Sequence, residues 1–151
     1  MFIFQKKELR VNQLDDAGMY TAKIMRANLN KKNTAIGLTL SLNEIYTEPV
    51  WIVLKTKQKL DNDFGLSLLN DIVYLLNIDD LSSKTTRLEQ LKNKEIGVLL
   101  NISENKEYRN ISLLAVYDLD THQTAFEKAN DLEAKFIYKK CDELEALHES
   151  N

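Results

Sequence analysis

Apolar and polar residues alternate with period two through GMYTAKIMRANL, residues 18–29, with Tyr20, Ala22 and Ile24 on one side and Met19, Thr21, Lys23 and Met25 on the other. Alternation over this length predicts a strand with one packed and one mixed face. NKKNT follows, turn-forming residues with Lys31 and Lys32 at the tip. TAIGLTLSLNEI then sets Ile36, Leu38, Leu40 and Leu42 against Gly37, Thr39, Ser41 and Asn43, so the two runs read as an antiparallel hairpin. After a YTEP turn closed by the only proline, Pro49, the run VWIVLKTK predicts a third strand paired with the second. Val50, Ile52 and Leu54 face its core side, and Trp51, Lys55 and Lys57, with Lys59 just beyond, face outward.

The period changes at Phe64. Phe64, Leu68, Leu69, Ile72, Leu75 and Leu76 recur at helical spacing and predict an amphipathic helix of about four turns ending near Asn77. A polar connector, DDLSSKTTR, leads to one further helical turn in LEQLK. Two strands return: KEIGVLLNI, with Ile96, Val98, Leu100 and Ile102 on one face, and YRNISLLAVYD, joined through SENKE as a hairpin. T-x-x-E at Thr124 and Glu127 is a capping box opening a terminal helix to about His148, along which Phe126, Ala129, Phe136, Ile137, Leu144 and Leu147 form a broken apolar stripe.

Three meandering strands, a helix, two strands and a terminal helix is the element order of a five-stranded OB-fold barrel, a mainly β architecture with a helix between strands three and four. Residues 1–123 read as this domain with a short N-terminal lead-in. Residues 124–151 read as an amphipathic acidic helix of the same single domain, and a chain of 151 residues suits one core rather than two.

Composition adds the compartment. An apolar fraction of 44% with 28% charged residues is globular. One cysteine, Cys141, excludes an internal disulfide and a cysteine-cluster metal site, and fits a reducing, cytoplasmic setting. No apolar run approaches the roughly 20 residues of a membrane helix, and MFIFQKKELR lacks the apolar core of a secretory signal, so no membrane association is expected.

Charge is segregated. Residues 131–151 hold six acids and three bases, which accounts for the whole net charge of -3; residues 17–60 hold seven bases against Glu44 and Glu48, a local excess of +5. Such a distribution gives an anionic partner a field to follow.

Motifs for catalysis are absent from the sequence. There is no GxGxxG, Walker loop, GxSxG, HExxH or cysteine pair, and no cofactor or metal is implied. His122 and His148 fall in polar segments and read as surface residues. Asp61 and Asp63 read as turn formers and a helix cap rather than a cation site, and Cys141 as a small apolar filler. What stands out is basic residues interleaved with aromatics: Lys23, Arg26, Lys31, Lys32, Lys55, Lys57 and Lys59 beside Tyr20, Tyr46, Trp51 and Tyr108. Cations neutralise phosphates, and an exposed ring stacks on any base. A tryptophan on a strand equally suits a core, Tyr20 shares its face with Ala22 and Ile24 and is expected inside, and lysines on an outer strand also protect a sheet edge.

The run Gly18, Tyr20, Ala22, Ile24 and Ala27, followed by KKNTAIGLTLSL, then LKNKEIGVLL and a Y-x-N return at Tyr108 and Asn110, resembles a family of small phage and prophage single-stranded DNA-binding proteins. The similarity covers roughly residues 17–126. It implies an OB-fold and sequence-tolerant single-stranded DNA binding in phage or prophage replication or recombination, without enzymatic activity. The candidate nucleic-acid-binding residues, from charge and topology, are Lys23, Arg26, Lys31, Lys32, Trp51, Lys55, Lys57, Lys59 and Tyr108. Candidate partners besides single-stranded DNA are replication or recombination proteins and a second copy through the terminal helix, using Phe136, Ile137 and Leu144. The chain ends LEALHESN, without the acidic Pro-Phe tip typical of bacterial single-strand binders. The alternative is an OB-fold protein-interaction or assembly module that uses the terminal helix and binds no nucleic acid.

Overall fold

The computed structural model describes residues 16–47, 49–78, 88–104 and 109–149. Most of the predicted lead-in, the whole DDLSSKTTR connector after the helix and the tip of the SENKE hairpin with Tyr108 lie outside these residues. In chain order the elements are β1 (Gly18–Leu29), β2 (Ala35–Leu42), β3 (Ile45–Tyr46), β4 (Val50–Val53), α1 (Asp63–Leu75), a 3-10 turn (Glu89–Leu91), β5 (Glu95–Glu104), β6 (Arg109–Tyr117), α2 (Ala125–Ala129) and α3 (Phe136–Glu149).

The strands form one open antiparallel sheet in the order β3-β2-β1-β5-β6, with β4 also paired to β2. β3 and β4 occupy the same edge of β2: β3 faces Ser41 and Leu42, and β4 faces residues 35–38. The predicted second strand therefore stops earlier, at Leu42. Asn43 and Glu44, both at positive φ, turn the chain back into β3. Pro49 cannot continue the ladder, and Thr47 bridges the interruption: its amide donates to the Leu40 carbonyl at 2.9 Å and its hydroxyl accepts the Leu40 amide at 3.1 Å.

The third predicted strand is also shorter, ending at Val53 rather than running through Lys57. There the start of α1 is pressed against it. A Cβ on Gly65 would fall 1.8 Å from the Val53 carbonyl oxygen, which instead accepts the Asn62 side-chain amide at 2.7 Å. β4 lies against β6, but no hydrogen-bonded ladder joins them among the described residues, so the sheet is open where the element order predicts a closed barrel.

Inward positions behave as their alternation predicts. Ala22 and Ile24 of β1, Ile36, Leu38, Leu40 and Leu42 of β2, Val50 and Ile52 of β4, and Ile96, Val98, Leu100 and Ile102 of β5 form one core, closed by Leu68 and Ile72 of α1 and by Leu88 and Leu91 beside the 3-10 turn. Phe64, placed by its spacing on the buried stripe of α1, is exposed instead, because Gly65 is the residue turned against β4.

A second, smaller core lies on the opposite face of the sheet, where Met19, Leu99, Ala115 and Tyr117 pack under Ile137, Cys141 and Leu144 of α3. The Tyr117 ring fills the space over Gly97, where a Cβ would sit 2.2 Å from the ring, and its hydroxyl donates to the Tyr20 carbonyl at 3.3 Å. Burial, with Cys141 and Tyr138 nearby, pushes that hydroxyl up to about 12. Cys141 fills this layer, and burial above all holds its thiol above the ordinary range.

The single terminal helix of the sequence pattern is two helices. The capping box forms: Thr124 Oγ1 accepts the Glu127 amide at 3.2 Å and the Glu127 carboxylate accepts the Thr124 amide at 2.9 Å. The other carboxylate oxygen then accepts the amides of Lys135 and Phe136 at 2.9 and 3.0 Å, which starts α3. Between them Asp131 takes positive φ and the helix breaks. Burial raises the Glu127 carboxyl, but the three amide hydrogen bonds to it and a fourth from the Thr124 hydroxyl at 3.2 Å outweigh it and hold the group below its ordinary 4.5. Among the described residues no helix is long and apolar enough to cross a membrane.

Candidate functional site

The uncovered part of the sheet's outer face is built from β1, β2, β3 and β4. Three cross-strand rows define it. Tyr46 is in register with Ser41, Ser41 with Lys23, and Lys23 with Glu95. Thr39 is in register with Arg26. Trp51 is in register with Gly37, and Gly37 with Asn28.

Strict alternation would put Lys23 and Arg26 on opposite faces, since they are an odd number of residues apart. A register shift between Ile24 and Arg26 absorbs Met25, so both cations stand on the exposed face while Ala22, Ile24, Ala27 and Leu29 remain inside. On its other edge the Ile24 amide donates to the Lys94 carbonyl at 2.8 Å and the Ile24 carbonyl accepts the Asn93 amide at 2.7 Å, extending the β1–β5 pairing past Lys23.

Trp51 and Tyr46 supply the aromatic surface. Trp51 is 50% exposed while its neighbours Val50 and Ile52 are buried at 1% each. Its ring rests over Gly37, where a Cβ would come within 2.9 Å of Cζ3 and 3.2 Å of the Pro49 Cβ. Gly37 thus lets the indole lie down on the sheet with half its surface open. Tyr46 is exposed to a similar degree. Tyr20 belongs to neither: it is packed at the margin of the core, and its hydroxyl donates to the Asp16 carbonyl.

Two cationic loops meet at one end of this face. In the β1–β2 turn, Asn30 Oδ1 accepts the amides of Thr34 and Ala35 at 2.8 and 3.2 Å and Asn30 Nδ2 donates to Thr34 Oγ1 at 2.9 Å, which fixes the turn and leaves Lys31 and Lys32 exposed at its tip. The Thr34 carbonyl accepts both the Leu54 and Lys55 amides, at 2.8 and 3.1 Å, stapling the β4 exit loop alongside.

That exit loop is a closed turn, not the strand extension the pattern predicts. The Leu54 carbonyl accepts the Asn62 amide at 2.9 Å, Thr56 pairs with Leu60, and Lys59 sits at positive φ. Lys55 is drawn into it by Asp61, Nζ to Oδ1 at 2.7 Å, so one of the three lysines is ion-paired, though with both groups exposed. Among the described residues Lys23, Arg26, Lys31, Lys32, Lys57 and Lys59 make no ion pair. Tyr108 lies outside the described residues.

A second surface feature was not foreseen from the sequence. Between α1, β6, α2 and the start of α3 lies an apolar groove of about 580 Å³, edged by the exposed rings of Phe64, Phe126 and Phe136, by Leu132, and by Lys135 and Lys139. The Asp71 carboxyl on its wall is held above the usual carboxylate range by burial. No sequence signal marks it, because spacing places Phe64, Phe126 and Phe136 on the apolar stripes of their helices and only the fold turns them outward.

Of the residues weighed for chemistry, His122 is not free on the surface: its Nδ1 lies 2.7 Å from the Tyr138 hydroxyl and its ring meets Tyr117 edge-on at 5.4 Å. Asp61 pairs with Lys55, and Asp63 opens α1 one residue after its N-cap, Asn62. No group of three or more His, Cys, Asp or Glu side chains among the described residues is placed to hold a metal ion. No protein-family model matches the chain, and no curated protein matches it significantly.

Proposed function

We propose that the bare face of β1, β2, β3 and β4 binds single-stranded DNA with little sequence preference, and that the chain acts without enzymatic activity in phage or prophage replication or recombination, the setting the sequence resemblance implies. The observation that carries this is the convergence on one sheet face of two exposed aromatic rings with two cations, Tyr46 in the cross-strand row of Lys23 and Trp51 in the row next to that of Arg26, beside two lysine-bearing loops stapled at the Thr34 carbonyl. Rings stack on bases whatever their identity, and the cations exchange counterions for phosphates along the backbone. The position of β4 against β6 supports reading the open sheet as an OB barrel whose last edge is in contact but unladdered, and the second and third strands of that fold commonly receive oligonucleotides. Lys31, Lys32, Lys57 and Lys59 guide the strand onto the face; Lys55 contributes less because Asp61 already holds it.

The test is fluorescence anisotropy of the full chain with labelled oligo-dT and with matched duplex, titrated across salt. Tight, salt-sensitive binding of the single strand and weak binding of the duplex is the expected result. Absence of binding at low salt overturns the reading.

A further inference from the structure

The residues of α3 that the sequence offered as an oligomer contact are divided by the fold. Ile137 and Leu144 are buried against the sheet and unavailable to a partner. On the flank bordering the groove, Phe136, Lys140, Glu143 and Leu147 succeed one another at intervals of four, three and four residues, and all are exposed. That spacing is the seam of a two-helix coiled coil.

The row is self-complementary. Laid antiparallel against the same row of a second copy, about an axis between Lys140 and Glu143, it sets Phe136 against the second copy's Leu147 at each end. In the middle it sets Lys140 against the second copy's Glu143. The rest of the helix agrees: Lys135, Lys139 and Lys140 stand at its start and Asp142, Glu143, Glu145 and Glu149 toward its end. This order opposes the helix macrodipole, which favours acids at the start and bases at the end. Within one molecule it is a local cost; across an antiparallel pair it lays the basic start of each helix along the acidic end of the other, with Lys140 opposite Glu143 as the direct pair.

We propose that α3 is a self-association surface, and that the protein forms a two-fold symmetric dimer through the row Phe136, Lys140, Glu143 and Leu147. A helix pair alone buries less than the roughly 1,200–2,000 Å² of a stable interface. The groove beside Phe136 supplies the remainder: Phe126 and Leu132, exposed in the single chain, receive the end of the second copy's helix. The Lys140 and Glu143 side chains, 3.4 Å apart within one helix, exchange partners across the axis. Trp51, Lys23 and Arg26 lie on the other part of the sheet, so this inference does not rest on the nucleic-acid reading.

The test is the mass of the full chain by sedimentation velocity over a concentration series, with circular dichroism to confirm each variant is folded. Wild type is expected as a dimer. Lys140→Glu and Glu143→Lys, each alone, set like charges against one another and weaken dimerisation by about tenfold or more. The double variant K140E/E143K restores it, and Leu147→Glu abolishes it. The internal Lys140–Glu143 pair is also broken and restored in this series, but it would change the melting temperature and not the mass. A wild-type monomer at every concentration, a dimer indifferent to these variants, or a double variant no better than the singles would each overturn the proposal.

Discussion

The sheet has one outer face and two treatments of it. Across β5, β6 and the start of β1 it carries Met19, Leu99, Ala115 and Tyr117, and α3 lies over it. Across β2, β4 and the remainder of β1 it carries Lys23, Arg26, Thr39 and Trp51, and no described element covers it. One strand, β1, crosses from the first region to the second between Met19 and Lys23. The difference teaches that outward residues, not strand geometry, decide which part of the sheet is core and which is available surface. Burial stabilises the first region, and the second contributes little to stability, which leaves its composition free for binding.

The largest expected effect is in the covered region. Ile137 is buried at 1% in the layer between α3 and the sheet. Ile137→Ala should cost about 2–5 kcal/mol of stability, transfer and cavity together, read as a lowered urea midpoint. Oligo-dT affinity at a temperature where the variant is folded should stay within a factor of two or so, because no candidate contact is touched. If affinity fell with stability, the two regions would be one cooperative unit for binding and the comparison would fail.

Glu127 tests how α3 is held in place. Removing its charge with Glu127→Gln leaves one oxygen to serve amides that two now serve, at a cost of roughly 1.5–3 kcal/mol. The sign of the pH dependence follows from the depressed carboxyl. The stabilisation is fully present above the ordinary 4.5 and is lost as pH falls through the lower folded value. Wild type and variant should therefore differ most at neutral pH and converge in acid, measured as thermal midpoints from pH 7 downward. A gap that widened on acidification would remove the carboxylate from that role.

How much of this could be read from the chain divides along the same line. The inner face was legible because period-two runs such as Ile36, Leu38, Leu40 and Leu42 admit one packing side. The second core was not, because Leu99 and Tyr117 lie on strands whose opposite positions are also apolar, and a bulge at Leu114 shifts the register by one. The shared face of Lys23 and Arg26 rests on a bulge at Met25 that alternation cannot signal. Thr124 and Glu127 announced a helix start, but nothing local showed that the same carboxylate would begin a second helix at Phe136. Lys55 looked like one of three equivalent lysines until the turn brought Asp61 beside it.

In the bare region, Trp51→Ala should weaken oligo-dT binding by about 1–3 kcal/mol if its open half stacks on a base. The cost to folding should be smaller, because half of the residue's surface is already open to solvent in the folded chain. Intrinsic tryptophan fluorescence gives an independent reading: Trp51 is the only tryptophan, so oligo-dT should quench it directly. Unquenched emission at saturating oligonucleotide would move the base contacts elsewhere on the face.

The smallest and most discriminating effect separates the lysines of one turn. Lys57 and Lys59 are exposed without an ion-pair partner among the described residues, whereas Lys55 is bonded to Asp61. Each lysine that engages a phosphate adds about 0.7 to the slope of log affinity against log salt for a single strand. The pair Lys57→Ala and Lys59→Ala should flatten that slope by about 1.4 in total, with stability changed by under about 0.5 kcal/mol. Lys55→Ala should change the slope less, since its charge is already compensated, and should cost at most about 1 kcal/mol of stability through the exposed pair. If Lys55 dominated instead, binding would have to open the Asp61 pair, and Asp61→Asn would then tighten DNA binding rather than leave it unchanged.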